Sequence, residues 1–287
     1  MSKITLCLGI CLFSVVFSGC SGFVARKKIP DPILWSCYYG ESNEVFLSDK
    51  FKLIILEPDN PLMIPQKTDT VFIGYISLGE AEEFRWYWKK IKDEDFVLEE
   101  NPDWEGDYYV DIRNPLWQKY VIEKIIPEIL RKGFDGLFLD TIDMAEYLED
   151  VDPDKYAGCV DSMVEMIKKI RMNYPDIYLI SNNGMILLDK IKGYIDFALV
   201  EDLYTSYDFD KNKYRLQTPQ ITMEMFEIMN DFSKKTGVPV LTLDYLDPVD
   251  KKGIMKIMRK SRADGFYPYV ADINLLTLPE KIMEAEE

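Results

Sequence analysis

Carboxylates must carry whatever chemistry this chain performs. None of its 287 residues is a histidine, which removes His-dependent serine and cysteine triads, His-ligated zinc and imidazole proton transfer. Neither Gly-x-Ser-x-Gly, Ser-x-x-Lys nor Gly-x-x-x-x-Gly-Lys-[Ser/Thr] occurs, so nucleophile elbows, serine–lysine pairs and phosphate-binding loops go too. Asp and Glu remain, with Tyr, Lys and Arg as assistants. Glu57, Glu80, Asp140, Glu201, Asp202 and Asp244 stand at or just past the ends of strand-like runs. Paired carboxyls at a cleft are what glycoside hydrolysis needs. One protonates the leaving oxygen while the other attacks, or activates water against, an oxocarbenium-like centre.

The elements that would position these groups begin with Gly133-Phe134-Asp135-Gly136-Leu137-Phe138-Leu139-Asp140-Thr141. A short apolar run without alternation reads as a strand buried on both faces, as in parallel sheets. Asp140 at its C-terminal end stands where barrels and open α/β folds place their chemistry, or else caps the helix that follows. Eight such strands are expected, at Leu34–Tyr39, Leu53–Leu56, Val71–Leu78, Gly136–Asp140, Ile177–Ser181, Phe197–Glu201, Val238–Asp244 and Gly265–Val270. Amphipathic patterns at Leu116–Lys132, Asp161–Tyr174, Thr222–Thr236 and Val249–Ala263 predict helices between them, with shorter ones near Glu41–Lys50 and Met185–Lys192. The segment from Leu56 to Val71 has three prolines and no helical pattern.

Strand–helix alternation over residues 33–287 predicts a single-domain (β/α)8 TIM barrel. A doubly wound sheet would call for a Gly-x-Gly-x-x-Gly after a strand, and none is present. Turns entering strands are short, whereas the segments leaving them (Gly79–Pro115, Thr141–Asp154, Asp202–Gln220) are long and rich in Trp and Tyr. The binding face is therefore the C-terminal one, with aromatic rings available to stack on sugars. Asp140 and Glu201 end strands four and six, and inward side chains from such strands approach to about 5–9 Å, which spans both the retaining and the inverting separations.

Residues 1–19 read as a signal peptide: Lys3, then an uncharged run from Ile4 to Phe17, then small residues before Cys20. Small residues directly before a cysteine resemble a bacterial lipobox. Cys20 would carry lipid, residues 20–32 would form a tether, and the protein would sit in the cell envelope facing away from the cytoplasm, with plain secretion the alternative. Only Cys37 and Cys159 would remain, too few for a disulfide framework or a zinc site. A net charge of −16 opposes nucleic acid as a partner and suits a cationic ligand.

Longer motifs make the reading specific. Ile73-Gly74-Tyr75-Ile76-Ser77-Leu78-Gly79-Glu80-Ala81-Glu82 with Arg85-Trp86-Tyr87-Trp88, then Tyr109 to Trp117, Gly133 to Asp140 and Val200-Glu201, resemble glycoside hydrolase family 114, the endo-α-1,4-polygalactosaminidases. Trp35-x-x-x-Tyr39 and Tyr267-Pro268-Tyr269 fit at either end. The resemblance implies a (β/α)8 barrel, Asp140 as nucleophile and Glu201 as general acid/base of a retaining mechanism on an α-1,4-linked galactosamine or N-acetylgalactosamine polysaccharide. It implies substrate contacts from Tyr38, Glu57, Tyr75, Glu80, Asp143, Asn182, Asn183, Tyr204, Asp244, Tyr245 and Tyr267. Glu57-Pro58 departs from the Asp-Pro of relatives, and Arg113 is read as holding a loop. No metal site and no cofactor is expected, since carboxylate chemistry requires none. A reading of another class stays open: a lipid-tethered glycan-binding protein that kept the cleft without catalysis.

Overall fold

The structure is a computed structural model that describes residues 26–283. The expected signal peptide and Cys20 lie outside the described residues. In chain order the strands are β1 (Trp35–Tyr38), β2 (Leu53–Leu56), β3 (Val71–Ser77), β4 (Glu80–Glu82), β5 (Val97–Glu100), β6 (Asp107–Val110), β7 (Gly136–Asp140), β8 (Tyr178–Asn182), β9 (Phe197–Glu201), β10 (Thr205–Asp208), β11 (Lys213–Leu216), β12 (Val240–Tyr245) and β13 (Tyr267–Ala271). Eight of them pair in parallel in the order β1-β2-β3-β7-β8-β9-β12-β13, and these are the eight runs expected from the sequence, within two residues at each end. The first and last strands meet through a side chain: the Trp35 indole donates to the Tyr267 carbonyl at 2.8 Å. This is a (β/α)8 barrel, and no helix stands between β2 and β3.

Short apolar strands form because both of their faces are covered. Inward residues such as Ile73, Phe138, Ile180, Leu199 and Leu243 fill the barrel, while the outward ones meet the helices. Strand β7 passes unusually close to its neighbour. A Cβ on Gly136 would lie 2.4 Å from the Tyr178 carbonyl oxygen and 2.8 Å from Ile73 Cδ1, so any residue but glycine would have to push its neighbours aside. The helix-to-strand junctions before β7 and β13 both turn on a left-handed glycine, Gly133 at φ 102° and Gly265 at φ 90°.

The helix expected over Leu116–Lys132 exists but is not uniform. It runs as α-helix over Pro115–Tyr120, as a π-helical turn over Val121–Ile125, and as α-helix again over Ile126–Arg131. Pro127 lacks the N–H of a regular turn and its ring would strike the preceding one, and the widened turn accommodates it. Helices at Cys159–Asn173, Pro219–Thr236 and Lys251–Ala263 match their patterns closely.

Two additions stand on the C-terminal face. A small antiparallel sheet, in the order β4-β6-β5, fills the segment after β3, and the β10–β11 hairpin follows β9. At the opposite end, the expected tether is engaged with the barrel from Arg26 onward. Arg26 pairs with Asp196 at 2.8 Å and stacks on Tyr178. Lys27 Nζ donates to the Thr70 carbonyl and to Asp135. Cys37 and Cys159 are both buried and unpaired with each other, and no helix among the described residues is long and apolar enough to cross a membrane.

The close approach at Gly136 has a measurable cost when filled. Gly136→Ala is expected to lower stability by about 1–3 kcal/mol through overpacking, read as a lower urea midpoint at unchanged slope. Gly193→Ala, where the added methyl meets nothing within 4 Å, should leave the midpoint nearly where it was.

Candidate active site

Four neighbouring strands, β7, β8, β9 and β12, end on Asp140, Asn182, Glu201 and Tyr245. Their order in the sheet is unbroken, so these last inward side chains converge on one part of the rim. Asn182, 4% exposed, sits between the two acids. Its Nδ2 donates to Asp140 Oδ1 at 2.7 Å and to Glu201 Oε1 at 2.6 Å. Those two oxygens are therefore held within about 5.3 Å of each other, the two bonds laid end to end. Tyr245 Oη donates to the other oxygen of Glu201 at 2.5 Å.

Three of the four strands turn sharply straight after the site residue. Thr141 (φ 56°), Asn183 (φ 48°) and Asp202 (φ 57°) are all left-handed, a conformation that Asn and Asp adopt more readily than most side chains and that is costly for a β-branched one. Local bonds hold the turns. Thr141 Oγ1 accepts from Gly79 N and pairs with Ser77 Oγ, both at 2.8 Å. Asn183 Oδ1 accepts from Glu201 N at 3.1 Å.

The site is rich in carboxyls that burial pushes up. Glu201 rises to about 7, through desolvation first and the Asp140 charge second, against the pull of the Tyr245 and Asn182 hydrogen bonds. Asp202 rises to about 7 through burial and the charges of Glu201 and Asp244. Glu80 also rises to about 7 through burial, opposed by the Asn101 amide at 2.7 Å. Asp143, in the turn after β7, rises to about 6 through burial and Asp140. Asp107 of β6 rises to about 6 through burial, with Asp140 contributing after a lowering pull from Arg85.

Of the residues singled out from the sequence, Asp140, Glu201, Asn182, Asn183, Tyr245, Tyr75, Glu80 and Asp143 are brought together. Tyr75 points into the barrel and feels Asp140 as its largest influence after burial. Glu57 is at the rim but already engaged: both its oxygens bind Arg85, at 2.5 and 3.1 Å, and one also accepts from Asp59 N. Arg85 is caged further by Glu82 and Asp59. Arg113 binds Asp111 and the carbonyls of Lys155 and Ala157, joining two loops.

Four expected substrate contacts face elsewhere. Tyr38 points out of the barrel, where its hydroxyl accepts from Ser42 N; its neighbour Tyr39 is the one that turns in, packing edge-on against Tyr75 at 5.7 Å within the fields of Asp140 and Glu201. Asp244 also points outward. Its Oδ1 accepts from Tyr204 N at 2.7 Å and from Thr205 N at 2.8 Å, fixing the base of the β10–β11 hairpin. The Tyr204 side chain runs down outside the barrel to donate to Asp264 at 2.9 Å. Tyr267 opens β13 at the opposite end and donates to Asp31. Strict alternation along Trp35-x-Cys37-x-Tyr39 was the signal for Tyr39, because Trp35 already lies against Tyr269 inside the barrel. No sequence pattern marked Asp107 or the strained turns. No group of three or more Asp, Glu or Cys with metal-binding geometry occurs among the described residues.

This arrangement can be set beside known proteins. In solved structures it is similar to the glycoside hydrolase domain of PelA from Pseudomonas aeruginosa, at 20% identity with a TM-score of 0.73, covering 85% of this chain and 96% of that one. It is also similar to Ega3 of Aspergillus fumigatus in complex with galactosamine, at 16% identity with a TM-score of 0.61, covering 89% and 97%. In sequence it is 32% identical over 225 residues to an uncharacterized protein of Methanocaldococcus jannaschii, an alignment covering 72% of this chain but 62% of that protein's length. An uncharacterized protein of Deinococcus radiodurans is 27% identical over 256 residues, covering 83% and 78%. The profile of glycoside-hydrolase family GH114 matches residues 30–286, essentially the whole barrel, and the chain belongs to that family.

Proposed function

We propose that this glycoside hydrolase cuts a galactosamine-containing polysaccharide, α-1,4-linked, at internal bonds by a retaining two-carboxylate mechanism, and that lipid on Cys20 holds it at the outer face of the cell envelope. The observation that carries the mechanism is the single Asn182 amide shared by both acids. It keeps their nearest oxygens within about 5.3 Å, and retaining enzymes hold their carboxyls about 5–5.5 Å apart against about 6.5–9.5 Å for inverting ones. The galactosamine bound in the Ega3 structure supports the sugar. So does the chain's net charge of −16, which favours the ammonium group of a deacetylated hexosamine and does so less at high salt.

In the first step Glu201, protonated, donates to the glycosidic oxygen as the C1–O bond breaks, and Asp140 closes on C1 to form a glycosyl ester. In the second, the Glu201 carboxylate takes a proton from water, whose oxygen attacks C1 and releases Asp140. A Glu201 carboxyl near 7 suits a group that must give and then take a proton. Tyr245 and Asn182 orient it in both states. Tyr39, Tyr75, Glu80, Asp143 and Asn183 are placed to contact the sugar.

Asp140→Asn and Glu201→Gln are each expected to lower the release of reducing ends from galactosamine oligomers by about 100- to 10,000-fold with the fold intact by circular dichroism. Full activity in either variant sinks that residue's role, and polymer bound without turnover by the unaltered protein would make it a glycan-binding protein instead.

The activity of the unaltered protein should fall as pH rises through about 7, where Glu201 loses the proton it donates. Tyr245→Phe removes a donor that lowers Glu201, so this alkaline limb should move to higher pH. Stability follows the same titration. A carboxyl raised by folding holds its proton more tightly in the native than in the unfolded chain, so its contribution is full below the unfolded value and is lost as pH rises through the folded one. Glu80, Glu201 and Asp202 at about 7, with Asp143 and Asp244 at about 6, place that loss between roughly pH 4 and 7. Urea midpoints should be higher at pH 5 than at pH 8, and Glu201→Gln should narrow the difference.

A further inference from the structure

The two additions to the barrel face are carried on opposite flanks of the acid pair. The β4-β6-β5 sheet follows β3 on the side of Asp140, whose charge acts on both Glu80 and Asp107 of that sheet. The β10–β11 hairpin begins four residues after Glu201, its base fixed by Asp244. Strands β7 and β8 lie between these flanks in the barrel. The flanks nevertheless touch. Trp104, in the turn between β5 and β6, meets Phe209, at the tip of the hairpin, edge to face with ring centroids 5.5 Å apart. Both rings stay largely in water, Trp104 at 53% and Phe209 at 57% exposed, so core burial does not account for their being there. Phe209 is set by Tyr207 at 5.1 Å, and Tyr207 in turn by Tyr214 at 5.0 Å. Tyr214 accepts a hydrogen bond from Ile273 N, beyond β13.

We propose that Trp104 and Phe209 form an aromatic latch across the cleft, which a polymer parts on entry and whose ring faces then serve as an outer sugar subsite. This rests on the polysaccharide reading above. An edge-to-face pair favours its closed form by only about 2- to 12-fold, so an open fraction is always populated, and a chain passing between the flanks gains two large apolar faces. A short oligomer that fills only the positions over Asp140 and Glu201 does not reach them. The latch therefore sets a preference for long chains, separately from the chemistry of bond cleavage.

The test compares a partly deacetylated galactosamine polymer with a galactosamine trimer in the intact protein and in Trp104→Ala, Phe209→Ala and the double variant. The ratio of kcat/KM for polymer to that for trimer should fall about 10-fold in each single variant and further in the double variant, because each ring face contributes to the opened subsite. A ratio unchanged in both single variants, or a double variant no worse than the poorer single one, overturns the latch. Polymer affinity is measured alongside in an Asp140→Asn background with and without Trp104→Ala. Weaker binding on loss of Trp104 supports the latch even if the unaltered protein releases no reducing ends, an outcome that would instead remove the hydrolase reading. Equal affinity with and without Trp104, or no binding by either, overturns it.

Discussion

Two carboxyls about 5 Å apart in a buried rim repel each other, and the molecule holds them there with one amide. Asn182 supplies the only kind of group that serves both at once: a neutral nitrogen with two hydrogens pointing some 120° apart. A third acid at that position would add to the repulsion, and a lysine would draw protons off the pair. The amide also fixes its own orientation, since turning it over would press Oδ1 against two acid oxygens. Because Asp140, Asn182 and Glu201 come from three adjacent strands, the pairing register of β7, β8 and β9 is what sets the distance between the acids. A slip of one residue in β8 would turn Asn182 outward and leave the pair without a partner.

That register ends in strain. Thr141, Asn183 and Asp202 each follow a site residue in the left-handed region, which costs of order 1–2 kcal/mol for the β-branched Thr141 and less for Asn and Asp. The effect is to end the strand at the acid, so the last inward side chain stands at the rim instead of inside a continuing ladder. The hydroxyl of Thr141 and the amide of Asn183 offset part of that cost by bonding backbone N–H groups of the adjoining segments. Asp202 lacks such compensation: its Oδ1 is buried with no hydrogen-bond partner among the described residues. Its carboxyl is instead pushed toward the neutral form, the state that burial beside Glu201 favours.

Most of the barrel was legible because buried parallel strands leave short apolar runs and their helices leave a 3.6-residue stripe, two signals that do not depend on distant partners. Side-chain direction at the ends of strands was far less so. In a strand direction reverses at every residue, so placing Tyr38 in the cleft where Tyr39 belongs is an error of one position with the opposite outcome. Asp244 misleads for the same reason, lying one residue before the inward Tyr245. Tyr204 and Tyr267 were misplaced for other causes: the first leaves the rim along the outside of the barrel, and the second lies at the wrong end of its strand. The β4-β6-β5 sheet left no readable mark because its strands are short, partly exposed and held by tertiary contacts such as the bond between Glu80 and Asn101.

Parity also sorts the many acids of the rim by what they can face. An acid that points outward at a strand end meets the backbone of the loop leaving the barrel, and its best use there is to accept that loop's N–H groups, as Asp244 does for Tyr204 and Thr205. An acid beyond the strand end can be caged by a cation, as Glu57 is by Arg85. Asp140 and Glu201, inward on the two strands that flank β8, are left facing one another across the Asn182 amide. Burial acts on this pair as well: desolvation pushes Glu201 up to about 7, while the amide between them keeps Asp140 close to it. The loop-holding acids and the paired acids are thus one population at the strand ends, divided by which way the strand happens to point.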